Sequence, residues 1–149
     1  EPFEGSIKLY ERGGIGYVRR STITKNVEWI APPKVFISAG YNGGDNYPHQ
    51  IIGSPIVSDG NSCCTETYLL IGPFKSKEEA SNVASYIKTK FFRTLVMLKK
   101  ISQHAQAIAY SFVPIQDFSK AWTDEELYAK YGLSDEEIAF IDSMIKPMK

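Results

Sequence analysis

The chain has 149 residues, of which 43% are hydrophobic and 13% aromatic, and its 17 Lys and Arg are balanced by 17 Asp and Glu. That is enough apolar material for one sizeable core in a single domain, and a net charge of zero excludes a uniformly basic nucleic-acid binder. No run approaches the ~18–20 apolar residues of a membrane span and no basic-then-apolar leader opens the chain, so a cytoplasmic protein is expected.

The segment "IKLYERGGIGYVRR" places alternating runs at 7–11 and 15–19 around Gly13-Gly14, a dipeptide suited to a hairpin turn. Gly14 and Gly16 lack the third glycine and the following helix of a dinucleotide loop. After Pro32-Pro33, "KVFIS" suits a buried strand and "AGYNGGDNYPHQ" reads as a loop. The polar stretch "SDGNSCC" leads to a second strand, "TYLLIG", which ends the β-rich part at about residue 72. The adjacent Cys63 and Cys64 are badly placed to bridge each other, and with His49 and His104 they lack the spacing of zinc-ligand pairs. Small buried hydrophobes are the expectation for both.

Ser76 and Glu79 stand in capping-box spacing, so one long helix is expected over 76–100. Ala80, Val83, Ala84, Ile87, Phe91, Leu95 and Leu98 form its core-facing stripe. At 100° per residue, Asn82, Tyr86, Thr89, Arg93 and Lys100 point away from that stripe, with Lys88 and Lys99 on a flank. "AIAYSFVPI" alternates Ile108, Tyr110 and Phe112, which predicts a strand within 105–115. Two more capping boxes, Thr123 with Glu126 and Ser134 with Glu137, open short helices at about 124–131 and 135–146, with Gly132 as the C-cap between them. The fold class expected is α+β: an irregular β-rich sheet, one long amphipathic helix and a small helical C-terminal tail.

Charge is unevenly spread. Residues 80–116 hold five Lys and Arg and no acid, whereas residues 117–149 hold four against eight. A solvated helix face usually interleaves both signs, so Lys88, Arg93, Lys99 and Lys100 are candidate phosphate contacts, with Gln103 and His104 beyond them as hydrogen-bonding partners. A plain solvated face is the alternative. The loop at 40–50 offers Tyr41, Asn42, Asn46, Tyr47, His49 and Gln50, types that read base edges or stack, although an ordinary surface loop favours much the same composition. Lys34 is either a further phosphate contact or an edge-strand charge. There is no nucleophile elbow, phosphate loop, zinc motif or carboxylate cluster to suggest catalysis, and the acids at 124–126 and 135–137 fit first-turn positions of helices.

"TETYLLIGPF", "EEASNVASYIKTKFFRTLV", "YSFVPIQDFSKAWTDEELY" and "EEIAFIDSMIKPM" resemble the C-terminal segment of bacterial adenine-specific DNA methyltransferases and fused methyltransferase–endonucleases of type II restriction-modification systems. The likeness runs from about Lys34 to the end, and the first thirty or so residues match less distinctly. It implies a non-catalytic target recognition domain that grips duplex DNA so that a methyltransferase domain of the same parent chain can flip and methylate an adenine. The parent would be an N6-adenine methyltransferase, a type II endonuclease or both. S-adenosylmethionine, Mg in a cleaving parent, and the Asn/Asp-Pro-Pro-aromatic motif would belong to other parts of it; "APPK" at 31–34 is not that motif. The opening Glu1 in place of Met fits a piece of such a chain. A rival reading is a protein–protein docking domain, in which the aromatic-rich helix and acidic tail contact the methyltransferase body or a partner subunit.

Overall fold

The structure, a computed structural model, describes every residue except Asn42, Asp45 and 101–106. Strands β1 (Ser6–Glu11) and β2 (Gly14–Arg19) make the expected hairpin. Glu11 pairs with Gly14, however, so Arg12 and Gly13 form the turn and Gly14 opens β2. Gly13 supplies the turn's positive φ of 96°.

Two 3-10 turns, Arg20–Thr22 and Val27–Trp29, lead to β3 (Lys34–Ser38), followed by β4 (Ile56–Ser58), β5 (Ser62–Cys64) and β6 (Tyr68–Ile71). They build two three-stranded sheets, ordered β2-β1-β5 and β4-β3-β6, with β5 parallel to β1 and the other pairings antiparallel. β4 was not expected, and β5 lies inside the stretch read as a polar connection. Three residues are too few for alternation to show in a sequence.

β3 is the central strand of its sheet, and its period of two divides the molecule. Val35 and Ile37 join the main apolar core with the helices, while Phe36 points the other way, 4.9 Å from the Tyr10 ring of β1. One strand therefore serves both the helix–sheet core and the contact between the sheets.

The long helix is broken. Its two parts are α1 (Lys77–Lys88) and α2 (Lys90–Lys99), separated by Thr89 in extended conformation at φ −64°, ψ 151°. Thr89 Oγ1 accepts from Phe92 N at 3.1 Å and donates to Tyr86 O at 2.6 Å. Asp124 accepts from Lys90 N and Phe91 N at 3.1 and 2.9 Å. The first free amides of α2 thus have two caps, one from its own sequence and one from 34 residues away, which stabilise a break that periodicity does not reveal. At the start of α1, Ser76 Oγ accepts from Glu79 N as expected, but the Glu79 carboxylate takes Lys75 N instead of returning to Ser76.

Because of the break, the 100° phase does not carry from α1 to α2. Tyr86, Thr89 and Arg93, expected outside, are buried, and Leu98, expected inside, is 61% exposed. The side expected to face solvent is also covered: Asn82 Nδ2 donates to Phe118 O and Tyr86 Oη to Pro114 O. The covering segment is not the expected strand. It contains a 3-10 turn at Ala107–Tyr110 and continues irregularly, with Ile108 and Phe112 exposed and Tyr110 half-buried; residues 105–106 lie outside the described residues.

The tail matches its signals. α3 (Asp124–Tyr131) and α4 (Asp135–Met144) both open with reciprocal capping boxes, and Gly132 ends α3 at φ 62°. α4 stops two residues before the expected position because Ile145 leaves the helix to form a parallel bridge with His49. The cysteines depart from expectation: both are free and only half-buried, with the Cys63 thiol donating weakly to Lys8 O at 3.6 Å. Burial pushes the Cys64 thiol up to about 11. Among the described residues, no helix is long and apolar enough to cross a membrane, and no group of three or more His, Cys, Asp or Glu could hold a metal ion.

Thr89→Ala should cost about 1–2 kcal/mol in urea denaturation, the value of a lost N-cap, with Thr89→Ser keeping most of it. No loss in the alanine variant would mean that Asp124 alone defines the start of α2.

Candidate nucleic-acid interface

The cations expected to form one face take separate places. Arg93 is fully buried, and all of its guanidinium nitrogens donate to backbone carbonyls. Nε reaches Thr89 O at 3.2 Å and Nη2 reaches Lys88 O at 2.9 Å, both at the C-terminal end of α1, where carbonyls lack helical partners. Nη1 reaches Lys146 O at 2.6 Å and Gln50 O at 3.3 Å. Burial pulls its pKa down to about 10, and Asp124 works weakly in the other direction. Among the described residues no carboxylate pairs with it. A fully buried arginine with all three nitrogens donating to internal carbonyls is not placed to touch a phosphate.

Lys34 and Lys100 show the same behaviour. Lys34 is completely buried between the sheets, and Nζ donates to Ile30 O at 2.8 Å and Pro32 O at 2.9 Å. Burial lowers it to about 8, opposed by the nearby Cys63 and Cys64 thiols. It is a central-strand residue, not an edge-strand charge. Lys100 Nζ donates to Ile51 O at 2.8 Å, and burial lowers its pKa too. Lys88, Lys99 and Lys100 are each half-buried; Lys88 and Lys99 lie on different helices, and Lys99 Nζ sits 4.9 Å from the Phe112 ring centre. The cationic helix face is thus not formed, because the carbonyls left by the helix break and by the loops recruit its charges. Gln103 and His104 lie outside the described residues.

Two of these internal cations end on neighbouring carbonyls, Gln50 O and Ile51 O, at the base of the 40–50 loop. Ile51 has φ 74°, a conformation that a β-branched residue adopts only when its surroundings impose it, at a cost of about 1–3 kcal/mol. The surroundings are explicit here. Ile51 N donates to His49 Nδ1 at 2.7 Å, Ile52 N to Gln50 O at 2.9 Å, His49 N to Met144 O at 2.8 Å, and Lys146 N to His49 O at 2.9 Å. Gln50, expected at the surface, is half-buried, and its amide donates to Ile52 O at 3.0 Å.

Above this base the loop presents aromatic and amide groups. Tyr41 and Tyr47 flank the His49 ring at centroid distances of 5.9 and 6.2 Å. With Nδ1 accepting from Ile51, neutral His49 carries its proton on Nε2, as a donor beside Gly43. A Cβ at Gly43 would meet Tyr41 and His49 at 2.8–3.0 Å, so glycine permits this close packing. Tyr47 is 55% exposed and Asn46 is exposed as well. The structure therefore brings Tyr41, Asn46, Tyr47 and His49 into one small loop; Asn42 lies outside the described residues.

A second basic feature escaped the sequence reading. Lys8 on β1, Arg12 in the turn, Arg19 at the end of β2, Arg20 and Lys25 are all exposed, and no salt bridge among the described residues neutralises them. Arg19 lies over the Phe3 ring at 5.6 Å. Residues 8–25 contain five cations and one acid, Glu11. Over residues 1–79 as a whole, 8 Lys and Arg are offset by 9 Asp and Glu, so the local excess shows only in a shorter window.

No protein-family model, curated protein or solved structure matches this chain.

Arg93→Met should lower stability by about 3 kcal/mol or more in urea denaturation, since several buried carbonyls lose their donor at once. Arg93→Lys should recover little, because an ammonium cannot span carbonyls from four segments. A loss below about 1 kcal/mol would show that the guanidinium is dispensable.

Proposed function

We propose that this chain is a sequence-specific duplex DNA-binding module, a target recognition domain of a restriction-modification enzyme, with no chemistry of its own. The observation that carries the reading is the braced 40–50 loop. It exposes an amide and an aromatic ring, with an imidazole N–H donor beside them, on a backbone fixed by internal cations. Side chains that read base edges need such a fixed backbone, because discrimination of about 1–3 kcal/mol per contact is lost when donors wander. The resemblance to adenine-specific methyltransferase C-termini points the same way. In this reading Asn46 and His49 address base edges and Tyr47 stacks or packs against a sugar.

Phosphate contact falls to the β1–β2 hairpin and the turn after it, through Lys8, Arg12, Arg19, Arg20 and Lys25. Backbone contacts position a protein on the duplex, and groove contacts specify where it stops. The methyl donor and the methyl-transfer machinery would sit in the methyltransferase domain of the parent chain.

The test is selection of a randomised duplex library on the purified chain at low salt, with sequencing of the bound fraction. A short enriched motif is expected, with affinity falling as salt rises. Asn46→Ala and Tyr47→Ala should flatten the motif. The double variant Arg19→Glu with Arg20→Glu should weaken binding to all sequences and reduce the log–log salt slope by about 2. Absence of any duplex binding at low salt would overturn the proposal.

A further inference from the structure

A second surface, separate from the loop and hairpin, lies between α2 and α4, and the DNA reading makes no use of it. Between the two helices is a groove of about 550 Å³ lined by residues that include Phe91, Leu95, Leu98, Leu133, Phe140 and Ile141. Phe91 and Ile141 close its floor and are buried, whereas Leu98 and Phe140 are 61% and 51% exposed. Tyr131, stacked on Phe91 at 5.0 Å between centroids, forms one end and is itself 41% exposed. The apolar stripe of α2 thus begins under α3 and α4 and runs out uncovered at Leu98. Its spacing of 91, 95 and 98 is the i, i+4, i+7 pattern by which helices meet helices.

The charged residues that line the groove are both acids. α4 opens with Asp135, Glu136 and Glu137, and the last two line the groove. Glu137 is occupied in capping Ser134 N, but the exposed Glu136 carboxylate has no partner among the described residues. The nearby cations are engaged elsewhere: Lys90 pairs with Asp142 at 2.7 Å, Lys130 donates to Gln116, and Lys99 lies over Phe112. An apolar trough with an unneutralised acidic rim is complementary to an amphipathic helix whose apolar stripe is flanked by Lys or Arg.

We infer that the α2–α4 groove docks a basic amphipathic helix of another domain or subunit. Two or three turns of such a helix span the distance from Phe91 to Leu98, about 10 Å at 1.5 Å per residue. Its apolar residues would cover Leu98 and Phe140 and complete a three-helix layer, and its flanking cations would face Glu136. A DNA-reading surface and a docking surface on one small domain would let a catalytic partner be held at a fixed place relative to the bound duplex.

The probe is a fluorescein-labelled Leu/Lys peptide of about 18 residues, five helical turns, with heptad-like apolar spacing, titrated with the full chain in fluorescence anisotropy. Its controls are a scrambled peptide of the same composition and a Leu/Glu peptide with the same spacing. Saturable binding of the Leu/Lys peptide is expected, weakened about tenfold by Leu98→Asp or Phe140→Asp, and severalfold by Glu136→Lys. These positions are exposed, so the variants should fold; unchanged circular dichroism melts confirm it. The inference is overturned if the scrambled or Leu/Glu peptide binds equally well, or if Phe140→Asp leaves affinity unchanged. It is also overturned if the wild-type chain sediments as a dimer that Phe140→Asp disperses, since the groove would then be covered by a second copy.

Discussion

The guanidinium of Arg93 joins carbonyls from four places in the chain: the last turn of α1, the break at Thr89, the base of the 40–50 loop and Lys146 just after α4. A fully buried charge without a carboxylate partner is costly unless its donors are used, and here all three nitrogens donate, in four hydrogen bonds. The α1 carbonyls add favourable electrostatics, because the C-terminal end of a helix carries partial negative charge. The dependence runs both ways. The helix break exposes the carbonyls that need a donor, and the donor sits one turn into the next helix because the break turned that helix inward.

From this centre the order of the loop follows. Ile51 keeps its left-handed backbone because Lys100 holds its carbonyl, His49 accepts from its amide, and Arg93 fixes the preceding carbonyl of Gln50. The parallel bridge of His49 with Ile145 ties the same point to the end of α4. Strain concentrated beneath a loop that displays Asn46, Tyr47 and an imidazole N–H is what a preorganised reading surface requires. The structure thus gives Arg93 and Lys100 of the cationic middle an internal role, while the hairpin at the other end of the sequence carries a cluster of exposed positive charge.

Much of the architecture was legible in the residues. The hairpin, β3, β6 and the two tail helices all carry local signals: alternation, apolar runs between breakers, and capping boxes. What was hidden depends on distant partners. The division at Thr89 is stabilised in part by Asp124, 34 residues beyond Lys90, and no window over α1 and α2 contains it. Reading the helix as continuous misplaces Arg93 and Leu98, which lie beyond the break, while Tyr86, within α1, is buried because the segment at 114–118 covers its side. The loop that stands as the candidate site was legible as a loop from its Gly, Asn and Pro, but its bracing was not, since carbonyl partners leave no mark in a sequence. Lys34 shows the same limit: a lysine before an apolar run looks like an edge charge until the strand proves to be central.

On the proposed reading the loop and the basic hairpin address a duplex, and the acid-rimmed apolar groove takes a helix. The loop's part in that reading rests on cations being used internally to hold a strained loop base. The most direct test is amide hydrogen exchange on Lys100→Met, which removes one brace while leaving Arg93 in place. Faster exchange confined to Ile51, Ile52 and the His49–Lys146 bridge, with α3 unchanged, is the predicted result. Unaltered protection at those amides would contradict the account.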